Sequence, residues 1–99
     1  MSLDDCMKAN KREMISHLME AIMTLQNLSE CEQFFNNLCT SDEIEKFSKR
    51  LLIAKLINDG ENYRSILKKT NTSNATVSRI KNVMTKDKSV LADVVKRIK

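Results

Sequence analysis

Apolar residues in this chain recur three or four positions apart, the spacing that places them on one face of an α-helix. The first such stretch predicts a helix over about residues 11–28, and its apolar arc is wider than a single packing face requires. The arc contains Met14, Ile15, Leu18, Met19, Ile22, Met23 and Leu25. We expect this helix to be buried on two sides, as happens where two subunits interlock. The alternative is that it is the central core helix of a monomer.

Three further helices follow from the same periodicity and from their start and stop signals. Residues 29–32 and 40–43 both have the Ser/Thr-x-x-Glu pattern of a capping box, with Ser29 and Thr40 as the predicted caps. Gly60 supplies a stop after the second of the helices that these boxes begin. The predicted ranges are about 30–38, 41–58 and, near the end of the chain, 89–98.

Residues 63–86 combine two short helical patterns around a tight turn, which predicts a helix-turn-helix. Its corner requires a residue with positive φ, and Asn71 stands there. Ser73 or Asn74 can cap the second helix. The apolar stripe of that helix is Val77, Ile80, Val83 and Met84. Leu67 departs from the usual pattern, because this position of a helix-turn-helix is normally Ala or Gly.

The opposite side of the second helix has small side chains, amides, hydroxyls and cations, and no carboxylate. Its residues are Asn74, Ala75, Ser78, Arg79, Asn82 and Thr85, with Lys81 at the edge. This composition suits a recognition helix in the major groove of DNA, where side chains bond to base edges and cations contact phosphates. The alternative is a solvated face of an unspecialised helical domain.

Composition agrees with an all-α protein of one domain. The chain has 99 residues, no Pro and one Gly, and we assign residues 1–99 to a single domain whose first ten residues are frayed. The net charge is +4. Residues 61–99 contain ten Lys or Arg against three Asp or Glu, whereas residues 1–60 contain seven against ten. The half with the helix-turn-helix is therefore the one expected to face a polyanion.

Other classes of function have little support in the sequence. We find no signal peptide or membrane span and expect a cytoplasmic, nucleoid-associated protein without membrane partners. Cys6, Cys31 and Cys39 are expected to be free thiols, and no residue spacing suggests a metal or another cofactor. His17 has no partner for catalysis, so we expect no enzyme. RNA is disfavoured, because no aromatic platform for stacking bases is present.

Three segments resemble the Trp-repressor family, most closely its YerC/YecD-type branch of regulators. They are LMEAIMTLQNLSECEQFFNNLCT (18–40), KRLLIAKLINDGENYRSI (49–66) and ATVSRI (75–80). The resemblance implies an all-α fold of six helices and an intertwined homodimer whose two helix-turn-helix heads meet successive major grooves of double-stranded DNA. It therefore implies a sequence-specific transcriptional regulator, with repression as the expected mode.

The resemblance also bears on tryptophan, the corepressor of some members. Their two pocket arginines match Arg50 and Arg79, and a capping threonine matches Thr40. A pocket Gly and a pocket Ser match Ile80 and Val83. Branched side chains would then fill the space of the ligand, which typically costs about 1–3 kcal/mol, and a hydrogen-bond partner of the ligand is lost. We therefore expect no tryptophan corepressor.

By the same resemblance, base contacts are expected near the start of the recognition helix. The candidates for base contacts are Asn74, Ala75 and Ser78. The candidates for contacts with the DNA backbone are Arg64, Lys68, Lys69, Arg79, Lys81 and Asn82. Arg79 can equally pair within the protein. The competing hypothesis is a protein-interaction module that descends from a helix-turn-helix and no longer binds specific DNA.

Overall fold

The computed structural model describes residues 10–98, which form six α-helices and, within that range, no β-strand. The helices are α1 (Lys11–Met23), α2 (Leu28–Leu38), α3 (Ser41–Asn58), α4 (Tyr63–Thr70), α5 (Asn74–Thr85) and α6 (Val90–Arg97). No described helix has the length and hydropathy to span a bilayer. The predicted fraying of residues 1–10 and the thiol of Cys6 lie outside the described residues, apart from Asn10.

The chain divides into two compact units after Cys39. The first contains α1 and α2, and the second contains α3 to α6. That both belong to one domain stays a prediction.

Helix α1 is shorter than predicted. It begins after Asn10, whose side chain accepts a hydrogen bond from the Glu13 N–H at 2.8 Å, and it ends at Met23 instead of residue 28. The hydroxyl and the N–H of Thr24 both bond to the Ala21 carbonyl, at 2.7 and 3.1 Å. These bonds close the last turn of α1. The apolar pattern that predicted the helix therefore extends past its end, to Leu25.

The predicted cap of α2 is wrong by two residues. Asn27 is the cap, and its side chain accepts from the Glu30 N–H at 2.8 Å. The Glu30 carboxylate in turn accepts from the Gln26 N–H at 3.1 Å. Ser29 lies inside the helix, where its hydroxyl oxygen accepts from the Gln33 side chain. The earlier start also gives the Cys31 N–H a partner, the Asn27 carbonyl.

Helix α3 begins and ends as predicted. The Thr40 hydroxyl accepts from the Glu43 N–H at 3.1 Å, and the Glu43 carboxylate accepts from the Thr40 N–H at 2.8 Å, which completes the capping box. Gly60 follows the helix with φ +84°. Its N–H bonds to the Ile57 carbonyl, and the Glu61 N–H bonds to the Leu56 carbonyl, as in a Schellman motif.

The core of the second unit is formed by one face of each of its helices. Helix α3 packs against α4, α5 and α6, and α5 packs against α4 and α6. The buried apolar residues are Ile53, Ala54, Leu56, Ile66, Val77, Ile80 and Val95. Leu67 packs against this core, so the helix-turn-helix accommodates a large side chain where Ala or Gly is usual.

Candidate nucleic-acid interface

The turn between α4 and α5 has the geometry that the sequence predicts. Asn71 adopts the left-handed conformation, with φ 51° and ψ 48°, and its N–H bonds to the Leu67 carbonyl at 2.9 Å. Thr70 is the one buried polar residue of the described core. Its hydroxyl donates to the Ile66 carbonyl at 2.7 Å and also bonds to the Thr72 hydroxyl at 2.8 Å. These bonds stabilise the conformation of the turn that joins α4 to α5.

Helix α5 begins at Ser73, whose hydroxyl accepts from the Thr76 N–H at 3.2 Å. Val77 and Ile80 are buried, and Met84 is half-buried. Val83 departs from the predicted apolar stripe, because 37% of its surface is exposed. The other exposed residues of α5 are those of the predicted polar face: Asn74, Ala75, Ser78, Arg79, Lys81, Asn82 and Thr85. All the α5 residues that the sequence analysis proposed for DNA contacts are therefore exposed to solvent.

The first turns of α4 and α5 contain no acidic residue. The first turns of the other four described helices each contain at least one, Glu13 in α1 being an example. A helix N-terminus carries a partial positive charge that nearby carboxylates neutralise. The first turn of α5 thus leaves its positive helix end without a carboxylate, whereas at the start of α4 the Glu61 carboxylate bonds to Ser65.

Most of the cations proposed for phosphate contacts are free of ion pairs. Arg64, Lys68, Arg79 and Lys81 are exposed, and none of them forms an ion pair with another residue of the range 10–98. The internal ion pair considered for Arg79 is therefore not formed there. These four side chains supply positive charge beside the polar face of α5.

Lys69 differs from the other cations, because its ammonium lies 2.7 Å from a carboxylate oxygen of Glu61. The Ser65 hydroxyl donates to the same carboxylate at 2.6 Å. The hydrogen bond from Lys69, and then the one from Ser65, hold the pKa of Glu61 below its ordinary value. Lys69 therefore braces the start of α4 and is a weaker candidate for a phosphate contact than Lys68.

Tyr63 makes a contact that the sequence analysis missed. Its phenol donates to the Asn74 carbonyl at 2.8 Å and is also hydrogen-bonded to the Ser78 hydroxyl. Two of the three proposed base-contacting residues are thereby tied to the first residue of α4. The apolar spacing of α4 accounts for Tyr63 as a packing residue, and no local pattern shows a bond to positions 11 and 15 residues later.

The five positions matched to the tryptophan pocket lie on α3 with its cap residue and on α5. A cleft of about 230 Å³ lies between the end of α3, the start of α4 and α5, and none of these five residues lines it. Thr40 caps α3, Arg50 and Arg79 are exposed, and Ile80 lies in the core. No group of His, Cys, Asp or Glu within residues 10–98 has a geometry that could hold a metal ion.

This geometry can be compared with known proteins. Residues 13–99 match the family model described as Trp repressor protein. This chain belongs to the Trp repressor family. The Trp repressor family is one of helix-turn-helix DNA-binding regulators.

Individual members of the Trp repressor family agree with the assignment. The uncharacterized protein YerC of Bacillus subtilis is 39% identical over 67 residues, which are 68% of this chain and 64% of that protein. The match thus spans slightly less than two thirds of the length of YerC. Among solved structures, a Staphylococcus aureus protein provisionally assigned as a Trp repressor superposes with a TM-score of 0.78 at 34% identity, covering 99% of this chain and 94% of that one.

A TrpR-like protein from Eubacterium eligens gives a TM-score of 0.79 at 32% identity, covering 89% of this chain and 91% of that one. These comparisons confirm the predicted family and the predicted all-α fold.

Proposed function

We propose that this protein is a dimeric transcriptional regulator that binds specific sequences of double-stranded DNA and acts, as a repressor, on the nucleoid in the cytoplasm. The observation that carries the proposal is the polar face of α5. Seven side chains of this face are exposed, and none of them is a carboxylate. The first turn of α5 contains no acidic residue. A face of this kind presents amide groups and hydroxyl oxygens to base edges and repels no phosphate.

The roles of individual residues follow from their positions. Asn74 is exposed in the first turn of α5, where an amide can bond bidentately to adenine, and Ala75 offers a small apolar contact beside it. Arg64, Lys68, Arg79, Lys81 and Asn82 are the candidates for contacts with the DNA backbone. Such contacts set position and affinity, and they carry no sequence information themselves.

The proposed regulator does not use tryptophan. Ile80 belongs to the buried core of the second unit, where it packs with Val77 and Ile53. Val83 presents a branched apolar side chain beside it on α5. The head is therefore held by its own side chains, and no bound effector is needed to place α5.

The test is selection of bound duplexes from fragmented genomic DNA at low and at physiological salt. The wild-type protein is compared with the double variant Asn74→Ala, Ser78→Ala and with Asn37→Ala. Asn37→Ala makes the same amide-to-methyl change as Asn74→Ala at an exposed position of α2. We expect a two-fold symmetric site that the wild type and Asn37→Ala enrich and the double variant does not.

Other outcomes would reject the proposal. Binding without an enriched site, lost at physiological salt, would mean that charge alone attracts the DNA. No binding at either salt would favour the protein-interaction module. For specific binding, about three phosphates per head give about six per dimer, so log K should fall with log[salt] at a slope near −5.

A further inference from the structure

The hydrogen bonds between Tyr63 and α5 restrict the chemistry of a proposed base-contacting residue. Tyr63 is the first residue of α4, and its phenol oxygen lies 2.8 Å from the Asn74 carbonyl oxygen and within hydrogen-bond distance of the Ser78 hydroxyl. Both side chains are partly open to solvent, with Tyr63 37% exposed. The group therefore lies at the surface that α5 presents, and not in the core.

The number of protons in this group fixes the direction of its bonds. A phenol has one proton, and a carbonyl oxygen can only accept. The Tyr63 proton is therefore used on the Asn74 carbonyl. The bond between the two hydroxyls must then use the single proton of Ser78, with the phenol oxygen as acceptor. Toward solvent, the Ser78 hydroxyl offers lone pairs and no proton.

A free serine hydroxyl can either donate or accept, and it distinguishes poorly between base edges. In the major groove, adenine and cytosine present an exocyclic amino group that donates a hydrogen bond. Guanine and thymine present acceptor atoms, and thymine adds a methyl group. A hydroxyl that can only accept should therefore bond to adenine or cytosine and leave guanine and thymine without a donor.

We infer that Tyr63 is a specificity-determining residue of this protein, because it makes Ser78 an obligate hydrogen-bond acceptor that selects adenine or cytosine at one base position of each half-site. The inference rests on the proposed function, since it requires that α5 lies in the major groove. Tyr63 acts as a positioning residue, through Ser78, and does not itself contact the base.

The experiment is selection from a randomised duplex library with four proteins: wild type, Tyr63→Phe, Ser78→Ala and the variant with both changes. Tyr63→Phe keeps the ring and removes the phenol oxygen, which takes away the acceptor of the Ser78 proton and makes that proton available again. We expect the wild type to prefer adenine or cytosine at one position of each half-site. In Tyr63→Phe, guanine and thymine should rise there by about two- to tenfold, the size of one neutral hydrogen bond, while the other positions stay unchanged.

The Ser78→Ala variant is the control. It should lose the preference at that position, and adding Tyr63→Phe to it should change nothing further there. Circular dichroism melting establishes that each variant is folded. If Tyr63→Phe does not fold, Ser78→Ala alone decides, because retention of the adenine or cytosine preference without the hydroxyl would overturn the inference.

Two further results distinguish what has failed. An affinity loss for Tyr63→Phe that is equal across all sequences, with an unchanged site, would show that Tyr63 only supports the fold and would overturn the inference alone. A wild-type protein that enriches no site would reject the proposed function and the inference together.

Discussion

Single side chains determine the geometry of the helix-turn-helix. Asn71 supplies the positive φ of the turn, and the buried hydroxyl of Thr70 satisfies its hydrogen bonds inside the corner. The role of Asn71 follows from the sequence, because few residues other than Gly tolerate the left-handed conformation. The hydroxyl pair of Thr70 and Thr72 depends on the turn once it is formed, and no spacing rule indicates it.

Replacing Asn71 tests the strain at this corner. Asn71→Ala should lower the free energy of unfolding by about 1 kcal/mol, because alanine disfavours a positive φ, whereas Asn71→Gly should leave it nearly unchanged. Asn36→Ala, at an exposed site inside α2, is the matched control and should not destabilise. Urea titration followed by circular dichroism measures all three. Equal stability of the alanine and glycine variants of Asn71 would contradict this account of the turn.

The residues at the former effector positions lead to a second prediction at this scale. Calorimetric titration with millimolar L-tryptophan should give no heat of binding, because the resemblance matches Ile80 and Val83 to the small pocket residues of the tryptophan-sensing members. A micromolar dissociation constant would show that the pocket survives despite these side chains. D-tryptophan at the same concentration serves as the control for heats of dilution and nonspecific binding.

At the scale of elements, the starts of helices decide where prediction succeeds. Two possible caps, Asn27 and Ser29, stand two residues apart at the start of α2, and both are good cap residues. The structure uses Asn27, since the earlier start adds a backbone bond from Cys31 and lets the Glu30 carboxylate bond to Gln26. At Thr40 both reciprocal bonds of the predicted capping box form, and the prediction is confirmed.

The two candidate caps can be separated by mutation. Asn27→Ala should destabilise the protein by about 1 kcal/mol, as loss of an N-cap does. Ser29→Ala should be close to neutral or slightly stabilising, because alanine is the better helix former in a helix interior. Thermal unfolding monitored at 222 nm provides the comparison. If Ser29→Ala were the more destabilising change, Ser29 would be the cap, as the sequence analysis predicted.

Six helices, their order and the outward face of α5 are predictable because helical periodicity and caps are local signals. The bonds of Tyr63 and the pair formed by Glu61 and Lys69 are not. Tyr63 lies in a different helix from its partners, and Glu61 precedes the cap of α4, so neither pair has the three- or four-residue spacing of one helix. These bonds decide which hydroxyls and cations remain free to contact DNA. The site is therefore less predictable from the sequence than the fold is.

For the molecule as a whole, the apolar arc of α1 is a surface that the single chain leaves exposed. Met14, Met19 and Met23 are 56%, 51% and 84% exposed in the single chain, and α1 has no buried residue. Soluble proteins rarely leave a continuous apolar strip in water. This exposure supports the proposed homodimer, in which a second copy of the chain covers the arc.

A charge on the arc should prevent that assembly. Met19→Glu is expected to convert a dimer into a monomer at micromolar concentration, because an unpaired carboxylate is costly to bury. His17→Glu introduces the same residue on the polar side of α1 and should remain dimeric. Light scattering coupled to size-exclusion chromatography gives both masses. A monomeric wild type, or a dimeric Met19→Glu, would rule out α1 as the dimer interface.

The chemistry of the caps has a consequence for behaviour in acid. All six described helices begin at uncharged side chains: Asn10, Asn27, Thr40, Asn62, Ser73 and Ser89. Amides and alcohols do not titrate, so these acceptors remain at low pH.

Glu61 behaves differently. Its pKa is lowered on folding, so its contribution to stability is present above the pKa of the unfolded chain and is lost as the pH falls through the lower pKa of the folded protein. Acidification should therefore release Lys69 while the six cap side chains keep the hydrogen bonds that they accept. NMR titration of Glu61 and Lys69 would follow this release.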